Sequence, residues 1–394
     1  MNLFKSSISS ALIKKWKYAN IYGKGRVAKS IKERSIFSAT ITKSPLLCLN
    51  PVFAFWFRTK FEKSPKLESK RTVIQYPDGG EASLDQMLES NLNYEDSQFL
   101  HSENPVILVI PGISENTWST KVQTLISTYL RNGYNDVFIC NYRGRCMTPL
   151  KTTQLSWPFG RFNDIQYVVA YIKETFPNRK IILVGNCFGG MCIVDYLTSQ
   201  SYKVPDDVIG GVVHSIQWNV HEGTKLLMKE PFFSFLVKPW ASYTKNILLK
   251  QRSQDLCEKV GLHNFKTFSS LPFDTYLDID TLWKTGLGFT VDNLIKDSND
   301  FAALSSPHLK IRNFPVAKPL VIINSIDDPV APISMEELEE IEKDPGICLS
   351  LLSCGGHCAF VKSMLPTTNF IDDIMLECSN IVVHDKYTEP GKLA

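Results

Sequence analysis

The chain has 394 residues, enough for one large core or two ordinary ones, and its 44% apolar and 21% charged residues are a globular balance. No run approaches the roughly 20 apolar residues that span a bilayer. Ten cysteines, without a secretory signal or an evenly spaced framework, point to free thiols in a reducing compartment. A net charge of +3 predicts no nucleic-acid partner, and no metal or cofactor pattern stands out.

That net charge hides an asymmetry. Residues 1–44 carry ten Lys/Arg against the single acid Glu33, a local charge of +9, while the remainder is acidic. Phe4, Ile8, Leu12 and Trp16 recur at four-residue intervals, and the segment holds eight serines. The pattern predicts a basic amphipathic helix followed by a flexible stretch. Three readings stay open: a mitochondrial transit peptide, a tail lying on anionic membrane, and a solvated arm that leaves the protein in the cytoplasm. The apolar run Pro45–Phe57 is interrupted by Asn50 and Pro51 and reads as a strap packed on the domain or as an interfacial anchor.

The domain is expected over residues 45–390. Arg71–Asp85 reads as two strands around Asp78-Gly79-Gly80, an antiparallel hairpin edge. From residue 105 strands and helices alternate. Val106–Ile110 is a strand ending in Pro111-Gly112-Ile113, about Thr120 to Arg131 is helical, and Asp136–Cys140 is a strand ending in Asn141-Tyr142-Arg143-Gly144. A helix with Ile165, Val168, Val169 and Ile172 follows, then strands at about 181–186 and 209–214. Residues 216 to about 310 break the alternation with many aromatics and no clear strand, the composition of a helical cap over an apolar pocket. Strands resume at Leu320–Asn324 and Ile347–Leu352. This is an α/β pattern: a mostly parallel central sheet, helices on both faces, and ligands beyond the carboxyl ends of the strands.

The stretch Gly185-Asn186-Cys187-Phe188-Gly189-Gly190 lies between the apolar strand and an apolar segment of helical period. It reads as strand, tight turn and helix, with Cys187 at the apex and at a helix N-terminus, where the dipole favours a thiolate and an acyl oxyanion. Downstream, Asp328 follows the penultimate strand and His357 the last one. The order nucleophile, acid, histidine is that of α/β-hydrolases and of no other triad fold. Cys187 would attack a carbonyl as thiolate, His357 would take its proton and later activate water, and Asp328 would fix the imidazole tautomer. The oxyanion would be held by the N–H groups of Phe188 and, by position after the first central strand, Ile113. Asp327 is the rival acid; the Asp-x-Val-x-Pro frame favours Asp328. Cys354 and Cys358 flank His357 at a spacing that fits no standard zinc set, so packing is expected of them, and His214 and His221 read as structural or exposed.

From about residue 45 to 380 the chain resembles AB hydrolase family 4, the α/β-hydrolase branch with yeast medium-chain fatty acid esterases and alcohol acyltransferases and vertebrate membrane-associated lipid hydrolases. The residues carrying the resemblance are Asp78-Gly79-Gly80 with Leu84-Asp85, Pro111-Gly112, Asn141-Tyr142-Arg143-Gly144 with Thr148-Pro149, the elbow, Asp327-Asp328-Pro329 and Gly355-Gly356-His357 with Phe360. It implies hydrolysis or transfer of acyl groups from medium- or long-chain lipid-like esters, no cofactor, and an N-terminus close to a membrane. It leaves the oligomeric state open. Family members carry Ser at the elbow, where this chain has Cys187. Three readings follow: a thiol hydrolase working through an acyl-thioester, an acyltransferase, and a non-catalytic lipid-binding relative.

Overall fold

Strands that are apolar at every position can only be buried on both faces, and that is how the centre of this protein is built. The computed structural model describes residues 19–34, 50–65, 67–89, 104–113, 115–143, 145–149, 151, 164–220, 222–223 and 306–387. In chain order the elements are β1 (Ala19–Tyr22), α1 (Arg26–Glu33), α2 (Pro51–Phe61), β2 (Leu67–Gln75), β3 (Glu81–Glu89), β4 (Val106–Ile110), α3 (Thr120–Arg131), β5 (Val137–Asn141) and α4 (Asp164–Thr175). Then come β6 (Ile181–Asn186), α5 (Phe188–Leu197), β7 (Val208–His214), α6 (Pro307–Asn313), β8 (Leu320–Ser325), α7 (Met335–Ile341), β9 (Ile347–Leu352), β10 (Val361–Met364), β11 (Thr367–Asn369) and α8 (Ile371–Tyr387).

One sheet has the strand order β1-β9-β8-β7-β6-β4-β5-β3-β2, and a separate two-stranded sheet pairs β10 with β11. Strands β5, β4, β6, β7, β8 and β9 run parallel, and both edges are closed by antiparallel pairing, β1 on β9 and β3 with β2 beyond β5. Alternate residues of each strand point to opposite faces. Val106, Leu108 and Ile110 therefore join one core with α4 and α5, while Ile107 and Val109 join the other with α1, α3 and α8. The expected α/β architecture with helices on both faces is the one found, and the strand at Ile347–Leu352 and the helix at Thr120–Arg131 fall at their expected bounds.

Two departures concern the N-terminal third. Residues 19–34, expected within a flexible segment 1–44, are part of the domain: β1 pairs with β9, and Val27, Ala28 and Ile31 of α1 are buried in the sheet's second core. The lysines between them dominate the charge count but leave an apolar stripe at helical spacing. The remaining residues of that segment, with the predicted amphipathic helix, lie outside the described residues. The strap around Asn50 is the helix α2, with Asn50 Oδ1 accepting from the N–H groups of Val52 and Phe53 at 3.1 and 2.9 Å and Pro51 in the first turn. No helix among the described residues is long and apolar enough to cross a membrane.

The expected cap falls mostly outside the described residues, but its two ends are visible and tied together. Val220 N donates to Ser306 Oγ at 3.1 Å, and His308 N donates to the Trp218 carbonyl at 3.3 Å. Insertion and sheet thus meet at a closed neck. Helix α8, which the sequence reading did not place, lays Ile371, Ile374, Met375, Cys378 and Ile381 on the second core.

The polar motif residues of the hairpin and of the loop after β5 form buried ion pairs. Arg143 donates from Nη1 to Asp78 at 2.6 Å and from Nε and Nη2 to Asp164 at 2.7 and 2.6 Å, with its guanidinium 4.2 Å from the Tyr76 ring centre. It clamps the hairpin turn to the start of α4. Asp85 accepts from Arg71, Thr117 and Asn141, joining β2, β3, β5 and the segment before α3. Removing one partner of such a cluster strands the others in a low-dielectric setting. Arg143→Met is therefore expected to lower the unfolding free energy by about 3–5 kcal/mol, and Arg143→Lys to recover little of it, because an ammonium cannot engage two carboxylates in a planar fork. Urea melts of the three proteins decide this; coincident curves would show the clamp to be dispensable.

Candidate active site

Strand β6 ends at Asn186 and the chain turns through Cys187, at φ 49° and ψ −118°, into α5. A non-glycine residue in that region costs on the order of 1–3 kcal/mol, and it persists where the surroundings over-determine it. Here the surroundings are two glycines. A Cβ on Gly189 would stand 1.9 Å from the Ile110 carbonyl oxygen, and one on Gly185 2.9 Å from the Gly189 carbonyl carbon. The closeness of β4, β6 and α5 thus requires glycine on both sides of Cys187. The turn is pinned by Cys187 N donating to the His214 carbonyl at 2.9 Å and by Met191 N donating to the Cys187 carbonyl at 3.2 Å. The thiol stands at the first turn of a helix, beside the Phe188 N–H and the positive end of the helix dipole.

The three residues expected to converge do so. His357 Nε2 lies 3.1 Å from Cys187 Sγ, and Nδ1 lies 3.1 and 3.0 Å from the two carboxylate oxygens of Asp328. Asp328 is buried, and its Oδ1 also accepts from the N–H groups of Val330 and Ala331 at 2.8 and 3.1 Å. An ionised, acceptor-only carboxylate fixes the proton of His357 on Nδ1 and leaves Nε2 facing the thiol. Burial alone would push His357 down, but the Asp328 carboxylate and the thiols of Cys358 and Cys187 outweigh it and hold the imidazole well above its usual range.

Asp327 has a different task. Its Oδ1 accepts from Gly356 N at 2.9 Å, which ties the loop before His357 to the end of β8. Ser325 Oγ donates to the Gly356 carbonyl at 3.1 Å, and Cys358 N donates to Ser215 Oγ at 3.1 Å. Gly356, Cys358 and Phe360 all take positive φ, so this loop is held in an unusual shape by its neighbours. The largest support comes from α2, 300 residues away in sequence. Arg58, 2% exposed, donates to the carbonyls of Cys358 and Ala359 at 3.1 and 3.3 Å and to Glu62 at 2.7 Å, while Ala54 packs against Ala359 and Val361. Sequence reasoning missed Arg58, although Asn50-Pro51 is a helix-start signature that would have placed it on a helix.

The turn after β4 carries Ile113, the second expected oxyanion donor, partly buried against the first core. It is shaped by Glu115, which accepts from Gly112 N at 3.1 Å and from Asn186 Nδ2 at 2.6 Å and pairs with Lys121 at 3.0 Å. Burial would raise the Glu115 carboxyl, but Lys121 and the Asn186 amide hold it below its usual value. Glu115 thereby couples the turn carrying Ile113 to the residue before Cys187. Nothing in the sequence spacing singled it out.

Cys358 is the unforeseen neighbour. Cys358, expected to pack beside His357, is buried and also borders the site: its thiol neighbours that of Cys187, His214 and His357 and lies 3.9 Å from the Asn186 amide. Cys358 itself takes a positive φ of 55°. Donating to Cys358, and burial, push the Cys187 thiol well up. Burial would also raise Cys358, but the Cys187 hydrogen bond, the His357 charge and a hydrogen bond with His214 bring it well down. His214 is buried and packs edge-on to Phe360, and His221 lies outside the described residues. No group of His, Cys, Asp or Glu among the described residues could hold a metal ion.

Burial lifts the Asp327 carboxyl to about 6, and its Oδ2 is buried with no hydrogen-bond partner among the described residues. A folded-state value above the unfolded one means that the native protein binds the proton more tightly, so stability falls as pH rises from about 4 to about 6 and then levels. A shift from 3.8 to about 6 corresponds to about 3 kcal/mol. Asp327→Asn keeps an acceptor for Gly356 N and should remove most of that pH dependence, which denaturant melts at pH 4.5 and 7.5 would read as a smaller difference than in the wild type.

The family model described as alpha/beta hydrolase fold matches residues 105–363. The chain is 24% identical over 312 residues to human phospholipase ABHD3, covering 77% of this chain and 69% of that one. It is 21% identical over 338 residues to the monoacylglycerol lipase of Saccharomyces cerevisiae, covering 77% and 72%. Among solved structures, an esterase of Pyrococcus furiosus superposes with a TM-score of 0.48 at 15% identity, covering 82% of this chain and 98% of that one. With the family model spanning well over half of its residues, the chain belongs to the α/β-hydrolase fold family.

Proposed function

We propose that this carboxylic ester hydrolase cleaves medium- or long-chain lipid-like esters with Cys187 as nucleophile, His357 as acid and base, and Asp328 as the group that orients His357. The observation that carries the reading is the unbroken chain of contacts from Cys187 Sγ through His357 to Asp328 at 3.0–3.1 Å, with the thiol on a strained turn at a helix N-terminus. As Cys187 Sγ closes on the carbonyl carbon, its proton passes to His357 Nε2, 3.1 Å away. The oxyanion is held by the N–H groups of Phe188 and Ile113. His357, its charge stabilised by Asp328, then protonates the departing alcohol oxygen, leaving the acyl group on sulfur as a thioester. His357 takes a proton from water, hydroxide adds to the thioester, and collapse releases the acid and returns the proton to sulfur. Relatives named phospholipase and monoacylglycerol lipase support a lipid-like ester as substrate.

Purified protein should hydrolyse a p-nitrophenyl ester. Cys187→Ala and His357→Ala should each lower turnover by about four to six orders of magnitude, with the double variant hardly worse, since residues acting as one unit are not additive. Cys187→Ser should keep measurable esterase activity. If wild type and Cys187→Ser both fail on a broad ester panel while a fatty ligand binds, the chain is a lipid-binding member of its family and not a catalyst.

An apolar acyl site predicts a chain-length preference, because each methylene moved from water into it contributes up to about 0.8 kcal/mol. The kcat/KM for decanoyl esters should exceed that for acetyl esters by at least two orders of magnitude. Equal values would rule out a lipid-sized pocket.

A further inference from the structure

We propose that Cys358 is a resolving thiol for Cys187, so that a peroxide converts the pair into a disulfide and external thiols restore it. Three observations converge. Cys187 is partly exposed, whereas Cys358 is buried at 2% exposure. The two thiols are near neighbours: Cys358 Sγ stands 3.9 Å from the amide of Asn186, the residue before Cys187, and Cys358 follows His357, whose Nε2 is 3.1 Å from Cys187 Sγ. His357 contacts Cys187 Sγ at 3.1 Å and also reaches Cys358, so one imidazole can supply protons to leaving groups at either sulfur. The hydrolytic mechanism needs only one of these sulfurs, and the second is too well placed to be neutral toward oxidation of the first.

The chemistry balances with hydrogen peroxide as oxidant. Cys187 sulfur gives its proton to His357 and attacks one peroxide oxygen, the O–O bond breaks, and the departing hydroxide takes that proton from His357 to leave as water. Cys187 is then a sulfenic acid. Cys358 sulfur attacks Cys187 sulfur, the S–S bond forms, the S–O bond breaks, and the second hydroxide leaves as water with the remaining thiol proton. Two thiols lose two electrons in all and one peroxide gains two. Without a resolving partner, a sulfenic acid is open to further oxidation to sulfinic acid, which thiols do not reverse. The other cysteines make poor partners. Burial drives Cys140 and Cys348 up to about 12 and Cys192 and Cys378 well up, so all four remain thiols.

That oxidation switches off hydrolysis rests on reading Cys187 as the nucleophile; the disulfide itself does not, and the test reads the two separately. The reduced full-length protein is exposed to hydrogen peroxide, free thiols are blocked, and a digest is mapped with and without reductant. Joined peptides containing Cys187 and Cys358, lighter together by two hydrogens than the reduced pair, are the expected product, whether or not any ester is turned over. Ester hydrolysis should fall at least tenfold in step and return with dithiothreitol. In Cys358→Ser, peroxide should instead leave Cys187 as sulfinic acid with activity that dithiothreitol does not restore. Cys354→Ser, which removes the cysteine on the other side of His357, should form the joined peptides as wild type does. A wild-type map showing sulfinic acid at Cys187 and no joined peptides overturns the proposal even if Cys358→Ser does not fold. Full recovery of Cys358→Ser by dithiothreitol also overturns it. Joined peptides in a protein inactive on every ester would leave the redox pair standing and the catalytic reading fallen.

Discussion

Everything at the site depends on one backbone torsion. Cys187 at φ 49° is the residue that turns a buried strand into a buried helix without an intervening loop. The energy held in that turn is small beside the packing around it, since β4, β6 and α5 can approach only while Gly185 and Gly189 carry no side chains. The sulfur is thereby presented at one place relative to the sheet, and the acid and histidine need only arrive at the ends of β8 and β9. The precision of the site is inherited from the sheet, whose parallel register sets where those strands end.

Arrival at a strand end is not enough for His357. The loop that carries it contains three residues of positive φ and is held from four directions: by Asp327, by Ser215, by Ser325 and by the guanidinium of Arg58 on α2. A buried cation with carboxylate partners is expensive to desolvate, and its retention here fits a role in fixing shape more than in adding stability. The turn carrying Ile113 is treated similarly by Glu115 and Lys121. Charges thus cluster around the site, while the core of the central parallel strands β4, β6, β7 and β8 is mainly apolar.

This division explains what could be read from the sequence. Val106–Ile110 and Ile347–Leu352 were legible as strands because short, mostly apolar runs bounded by glycine or proline have few other solutions. The convergence of Cys187, Asp328 and His357 was legible because chain order and strand ends fix it. Arg58 and Glu115 were not, because a buried ion pair between distant segments leaves no periodic trace. Cys358 was adjacent to a recognised residue and still unread: whether a side chain at i+1 points away or back depends on a left-handed turn that the sequence Gly-Gly-His-Cys does not announce. Residues 19–34 were misjudged because charge composition outweighed a short apolar stripe.

The strand β1 has a consequence for how this protein can be processed. It covers the outer edge of β9, whose backbone N–H and C=O groups would otherwise be open to pairing with another chain. Removal of a leader by cleavage beyond Tyr22 would strip that cover. A second chain would then find the β9 backbone groups that β1 had paired, from Leu349 to Leu352, as an open edge. Any trimming that stops before Ala19 leaves that edge of the sheet paired.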